Sequence, residues 1–269
     1  MGNDLTFVIF GLSGLAAGFF AGLFGIGGGL IMVPALVYAF TAAGVDAQHV
    51  VAMALGTSMA AIVFSAAQSA YGHYRRGSAS GPTVRRAAPW AIVGVVLGSA
   101  MAADASRVPL LIFVGSFQFV AAALMVADVS KYAVVQTFAR QDAALSACSV
   151  AFGGVAALAG VAGGTLFTPY FTAGGMEPKR AVGTSAAIGL PVSLVGAFAY
   201  AWEGRSAPLG HWTVGYIHLP ALAALVVGAL LTVRFGVAVA HWLPSRVLAA
   251  AFAVFLIANG VHLLYLAST

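Results

Sequence analysis

Long apolar runs alternate with short polar breaks along the whole chain. A bilayer core about 30 Å thick is crossed by about 20 residues of apolar helix. Eight stretches meet that requirement, at about 5–42, 48–73, 87–103, 108–127, 143–173, 180–202, 215–235 and 246–267. The first and fifth are too long for one simple crossing. Glycine interrupts both, at Gly25-Ile26-Gly27-Gly28-Gly29 and at Gly160-Val161-Ala162-Gly163-Gly164. Each therefore reads as a broken helix or a re-entrant hairpin. Irregular backbone survives at membrane depth only where it is buried in protein or lines a wet cavity.

The two interruptions belong to a longer internal match. Gly25 to Pro34 aligns with Gly160 to Pro169, Phe40-Thr41-Ala42-Ala43-Gly44 with Phe171-Thr172-Ala173-Gly174-Gly175, and Gly56-Thr57-Ser58 with Gly183-Thr184-Ser185. Pairing Gly25 with Gly160, Phe40 with Phe171 and Gly56 with Gly183 gives offsets of 135, 131 and 127. Each step of four is about one helical turn, so side-chain facing is preserved. The expected organisation is a first membrane repeat (1–130), a connecting loop (131–142) and a second repeat (143–269). The fold class is an all-α integral membrane protein with about eight transmembrane helices in two repeated halves, the first and fifth broken at glycine. Eight single crossings make the halves parallel, and an odd number per half inverts them. Matched broken helices point to a transport site between the repeats. Glycines at GxxxG spacing (Gly14, Gly18 and Gly22; Gly94 and Gly98) have helix packing as their ordinary role.

Composition supports the membrane reading. Hydrophobic residues make up 61% of the chain and charged residues 7%, against roughly a quarter charged in soluble domains. No run mixes basic and aromatic residues as a nucleic-acid surface would, so nucleic acid is not an expected partner. The polar stretch from His73 to Arg86 holds four arginines, which the positive-inside rule places in the cytoplasm. Eight single crossings put both termini there too, with Lys131, Arg140 and Arg205, while Arg107, Lys179, Arg180, Arg234 and Arg246 oppose them. Trp90, Trp202, Trp212 and Trp242 fall near span ends, as interfacial anchors do. The N-terminus lacks the basic stretch of a cleaved signal and is read as the first membrane helix. Cys148, the single cysteine, excludes an intrachain disulfide and reads as a small buried packing residue.

The residues Gly22-Leu23-Phe24-Gly25-Ile26-Gly27-Gly28-Gly29 with Pro34, and Ala52 to Ser58, together with their counterparts Gly160 to Pro169 and Ala181 to Ser185, resemble the sulfite exporter family, the TauE/SafE type of bacterial membrane transporter. The likeness covers about residues 5–265 and is specific in combination. It implies export, or sometimes import, of small sulfur-containing anions such as sulfite, thiosulfate or organosulfonates across the cell inner membrane. Two departures bear on the site. Ala162 stands where the first half has Gly27, and the first half carries extra residues, Val51 to Leu55, before its Gly-Thr-Ser.

Asp46, Asp104, Asp128, Glu177 and Glu203 all fall near span ends and Arg234 sits at the end of its span, so the middle of the membrane contains almost no charge and an anion there has no fixed cationic partner. Helix N-termini can replace one, because their first N–H groups are unpaired and the dipole favours negative charge. The expected substrate pocket comprises Gly27, Gly28, Gly29, Gly163, Gly164 and Thr165, with hydroxyls from Thr57, Ser58, Thr184 and Ser185. Gln118 and Asn259, near the middle of the last span of each half, are candidates for pore lining or for bonds between helices. No metal-ligand spacing is present and no cofactor is expected. An intramembrane enzyme would need a nucleophile and base, and none is visible. The alternatives are a carrier of another small ion or metabolite, or a non-transporting membrane subunit. Homo-oligomerisation is left open. An inside-negative potential drives anions outward by about 2.3 kcal/mol per charge per 100 mV, which favours export.

Overall fold

The computed structural model describes residues 4–24, 28–126, 142–240 and 245–268. The connecting loop up to Gln141, along with Gly25, Ile26, Gly27 and Trp242, lies outside them. Within the described residues the chain forms ten α-helices: α1 Asp4–Phe24, α2 Gly29–Ala42, α3 Ala47–Arg75, α4 Gly81–Asp104, α5 Arg107–Val126, α6 Asp142–Ala159, α7 Gly164–Ala173, α8 Pro178–Glu203, α9 Leu219–Ala240 and α10 Ser245–Ser268. A two-stranded antiparallel ribbon, β1 Thr213–Val214 and β2 Ile217–His218, precedes α9. Among the described residues, five stretches are each long and apolar enough to cross a membrane: Ala47–Arg75, Gly81–Asp104, Arg107–Leu124, Asp142–Ala159 and Pro178–Ser206. Leu12, Leu97, Phe198, Val227 and Val254 stand exposed on the outside, as side chains facing lipid do.

Both overlong apolar stretches divide into two helices. At 14 and 10 residues, α2 and α7 are only about 21 and 15 Å long, too short to cross. Between its two readings, broken helix or hairpin, the first stretch is a hairpin. Gly28 lies against the Ala17 carbonyl, and the Phe10 and Phe40 rings meet with centroids 5.6 Å apart, so α2 turns back along α1. The Phe-Thr…Gly motifs end the two short helices in the same way. Gly44 (φ 75°) and Gly175 (φ 89°) adopt left-handed backbone, and the next N–H groups, of Val45 and Met176, donate to the carbonyls of Phe40 and Phe171, each at 3.0 Å. Left-handed backbone is where glycine is favoured at a helix C-terminus.

Helix directions follow from which residues meet. Gly56 of α3 lies against Tyr200 of α8, and Gly183 of α8 against Ser78 just beyond α3, so α3 and α8 are antiparallel. Gly115 meets Leu264 and Gly260 meets Phe119, so α5 and α10 are antiparallel too. By contrast α1 runs with α9 (Gly14 on Leu225, Gly18 on Ala229), and α4 runs with α6 (Gly153 on Ala91, Gly98 on Ala157). Gly14, Gly18, Gly94 and Gly98 thus serve close helix packing.

The bundle has two chemically distinct ends. Arg75, Arg76, Arg85, Arg86, Lys179 and Arg180 gather at one, where Arg86 pairs with Asp142 at 2.9 Å. The ribbon marks the other, with Asp46, Asp104, Arg107, Glu203 and Arg205. Its Tyr216 hydroxyl has a raised pKa, first through burial and then through the Glu203 and Asp104 carboxylates. Several sequence boundaries shift. Pro82 opens α4 in its first turn, so Arg85 and Arg86 are helical, the polar loop shrinks to 76–80, and Trp90 sits in the body of the helix. Residues 215–218, expected in a span, form the ribbon turn and β2, because Gly215 takes φ 54°. Cys148 is half-buried and not fully enclosed.

A candidate site where two short helices begin

Ser58 lies 11 residues into α3 and Gly189 lies 11 into α8, each about 16 Å from the start of its helix. At the level of Ser58, α6 ends in Gly160, whose φ of 62° favours a residue without Cβ. The Ser58 hydroxyl donates to the Gly160 carbonyl at 2.9 Å, and Tyr200 Oη donates to Ala157 O at 2.9 Å. The start of α2 abuts this turn. A methyl group at Gly29 would collide with the Gly160 carbonyl and Val161. Three residues further on α7 begins, with Gly163 close to Gly189.

Neither short helix has a side-chain cap at its start, since both N-cap residues, Gly28 and Gly163, are glycines. The Ile31 and Met32 N–H groups reach the Gly28 carbonyl, and those of Leu166 and Phe167 reach Gly163 O. The N–H groups two residues earlier, at Gly29, Leu30, Gly164 and Thr165, have no intrahelical acceptor and lie at the positive ends of the helix dipoles. Two buried polar side chains, Gln118 and Thr165, lie on these first turns. Gln118 donates Nε2 to Leu30 O at 3.1 Å, which sets its amide on the first turn of α2. Its Oε1, the Thr165 hydroxyl and the Ser185 hydroxyl are buried without hydrogen-bond partners.

The expected residues therefore separate. Gly28, Gly29 and Ser58 meet at the Gly160 turn, with Gln118 on the first turn of α2. Gly163, Gly164 and Thr165 open α7. Gly27 lies outside the described residues. Thr57 and Thr184 are not brought to a common point. Thr57 Oγ1 accepts from the His218 N–H at 3.0 Å, toward the ribbon end. Thr184 Oγ1 accepts from the Ser80 N–H at 3.0 Å, toward the arginine end, and donates to Arg180 O at 2.7 Å. Each threonine thus holds the residue that immediately precedes α9 or α4. Asn259 donates to Phe255 O in its own helix at 2.9 Å, whereas Gln118 reaches across to α2.

Three residues that matter here escaped the sequence reading as site candidates: Gly160, Ser80 and His218. His218 had a usable signal, since a polar residue followed by Leu219-Pro220 and an apolar run marks a helix start. Two surface pockets lead toward the pinned threonines. One, of about 290 Å³ at the ribbon end, is lined by Asp46, His49, Met53, His211, Trp212 and His218 among others. The other, of about 230 Å³ at the arginine end, includes Pro82, Thr83, Arg86, Asp142, Tyr170 and Met176, and Thr184 contacts Met176 Sδ at 3.7 Å. Among the residues whose side chains are described, no charged one is fully buried and none form a cluster of three His, Cys, Asp or Glu able to hold a metal ion.

An apolar helical bundle, with short helices starting in its interior beside unpartnered polar groups, defines a multi-pass membrane protein of the transporter class. The chain belongs to the sulfite exporter TauE/SafE family, whose model matches residues 10–263. A probable membrane transporter protein of Haemophilus influenzae is 31% identical over 254 residues, covering 94% of this chain and 96% of that protein. No solved structure matches the chain. Family membership points to transport and not to catalysis.

Proposed function

We propose that the protein carries small sulfur-containing anions, such as sulfite, thiosulfate or an organosulfonate, outward across the cell inner membrane. The anion is held where α2 and α7 begin, by backbone N–H groups at Gly29, Leu30, Gly164 and Thr165, by the Thr165 and Ser185 hydroxyls and by the second Nε2 hydrogen of Gln118. Ser58 supports the Gly160 turn, and Thr57 and Thr184 brace the two ends of the path. The observation that carries this reading is the pair of uncapped, glycine-started half-helices beside buried polar atoms that lack partners. A buried polar group without a partner is costly, and an anion supplies an acceptor for free N–H and O–H donors without a fixed cation nearby.

Helix direction also supports an inverted arrangement of the two halves, since α3 and α8, and α5 and α10, run antiparallel. Arg75, Arg76, Arg85, Arg86, Lys179 and Arg180 then share the cytoplasmic face, and Arg107 and Arg205 face outward. This asymmetry obeys the positive-inside rule better than eight single crossings do.

The test is charge movement across proteoliposomes challenged with sulfite, thiosulfate, sulfoacetate, taurine and chloride. A current for a sulfur anion, weakened in a Thr165→Val, Ser185→Ala double variant that still inserts and melts normally, is the expected result. A current carried equally by chloride, or unchanged in that variant, overturns the substrate class or the site respectively.

A further inference from the structure

His218 occupies a junction that the reading above leaves without a role. It immediately precedes α9, and its Nδ1 accepts the Ala221 N–H at 3.2 Å, so the imidazole is the side-chain cap of that helix. Its own N–H is the group bound by Thr57. Thr57 adjoins Ser58, which holds the Gly160 turn. The ring lies beside Phe10 of α1 (5.8 Å between centroids) and Phe40 of α2 (5.3 Å), and it borders the 290 Å³ pocket with Asp46, His49 and His211.

We propose that His218 is a proton-operated latch, which closes the ribbon-end mouth of the path while its Nδ1 is an acceptor and releases α9 from α3 when Nδ1 takes up a proton. The chemistry follows from the cap. A nitrogen that accepts the Ala221 N–H must be unprotonated. A proton from water turns it into a second donor facing the first, and it places a cation at the positive end of α9. The ring must then leave the cap, and the backbone N–H that Thr57 holds moves with it. The pocket offers the imidazolium a destination, since Asp46 lies in it.

Burial holds the His218 pKa below the ordinary histidine value. The neutral, latched form is therefore fully favoured above about pH 6.5, and it is lost as pH falls through the lowered value. The groups facing His218 from its neighbours are Asp46 and His49 of α3, His211 of the preceding loop, and Tyr216 of the ribbon with the Glu203 and Asp104 carboxylates behind it. α1 and α2 contribute Phe10 and Phe40. The opposite end is built from different chemistry. There Ser80 is held by Thr184 and its hydroxyl bonds Thr83 Oγ1 at 2.9 Å, while the histidine at that end, His73, pairs its Nδ1 with Ser78 Oγ at 2.9 Å and not with the start of a helix. The latch thus makes the ribbon-end mouth acid-sensitive.

The inference uses the transport reading only for its second readout. The first is amide hydrogen exchange of Leu219, Ala221 and Leu222 in the full-length protein in nanodiscs, corrected for the intrinsic pH dependence of exchange. Between pH 7.5 and 5.5 protection should fall, by up to about tenfold per pH unit for one linked proton. His218→Asn, which keeps a capping oxygen but cannot titrate, should abolish that dependence, while His49→Gln and His211→Gln should retain it. The second readout is radiolabelled sulfite flux in proteoliposomes with the pH of each face set separately. Acid on the ribbon face alone should change the wild-type flux, and His218→Asn should be insensitive. Wild-type protection that does not vary with pH overturns the latch, as does equal pH dependence in His218→Asn. Should His218→Asn not fold, the wild-type exchange profile with the two other histidine variants still decides. Absence of flux for sulfite, thiosulfate and the organosulfonates with pH-dependent protection overturns the substrate assignment and leaves the latch intact.

Discussion

Replacing Thr57 by valine separates bracing from direct anion binding. Thr57 is fully buried, and valine matches its shape while removing the oxygen that accepts the His218 N–H at 3.0 Å. An unpaired buried N–H costs about 1–3 kcal/mol. For a chain of this size about 1 kcal/mol corresponds to roughly 2–4 °C in Tm, so a loss of about 2 kcal/mol should lower Tm by about 4–8 °C. Thr57→Ser keeps the acceptor and loses one methyl group, worth about 0.8 kcal/mol, and should lie between valine and wild type. The assays are thermal melting in detergent and anion flux in proteoliposomes across a concentration series. Bracing predicts a lower Tm and an altered maximal rate at a nearly constant half-saturating concentration. A Thr57→Val protein that melts like wild type but needs at least about tenfold more anion would refute the reasoning, and would make the hydroxyl a direct ligand.

Four further outcomes are expected. Gly160→Ala should nearly abolish flux and lower the yield of folded protein, because a non-glycine residue in left-handed backbone costs about 1–2 kcal/mol and the added methyl meets Val33 and Leu55; membrane yield and flux check this. Gln118→Leu removes an unpartnered buried Oε1 along with the bond to Leu30, so stability should change by less than about 1.5 kcal/mol while the half-saturating anion concentration rises. Arg86→Ala breaks an ion pair whose side chains are 66% and 78% exposed; such pairs contribute about 0–1 kcal/mol, and melting should barely move. In a Cys148→Ser background, Ala79→Cys should react with impermeant maleimide only from the cytoplasmic side and His211→Cys only from outside. The reverse pattern, or labelling of both from one side, would reject the proposed orientation.

Much of this architecture is legible without coordinates, for identifiable reasons. A bilayer imposes length and apolarity on every crossing segment, so most helix bodies stand out as runs. Glycine clusters at Gly25–Gly29 and Gly160–Gly164 mark breaks because regular helix disfavours them, and the Phe-Thr…Gly motifs mark helix ends because left-handed backbone favours glycine. Apolarity does not report direction, however. A run such as 5–42 has the same composition as one bent helix or as two antiparallel ones, and only the contacts of Gly28 with Ala17 and of Phe10 with Phe40 distinguish them. The fifth run behaves likewise: α6 and α8 both start at the arginine end, since α6 runs with α4 and Gly183 lies on Ser78, so the break at Gly160–Gly164 makes that run a return and not a crossing, which is why charge counted on single crossings separates Lys179 and Arg180 from Arg75 to Arg86. Hydroxyl groups pose a similar problem. Thr57 and Ser58 are neighbours in sequence, yet a helix sends adjacent side chains about 100° apart. One therefore meets His218 and the other Gly160, partners 161 and 102 residues away. Sequence composition determined the solvent this protein lives in and where its helices break. Only tertiary packing decided which polar atoms are spent holding the bundle together and which stay without a partner, because a hydroxyl's role depends on the partner within 3 Å of it.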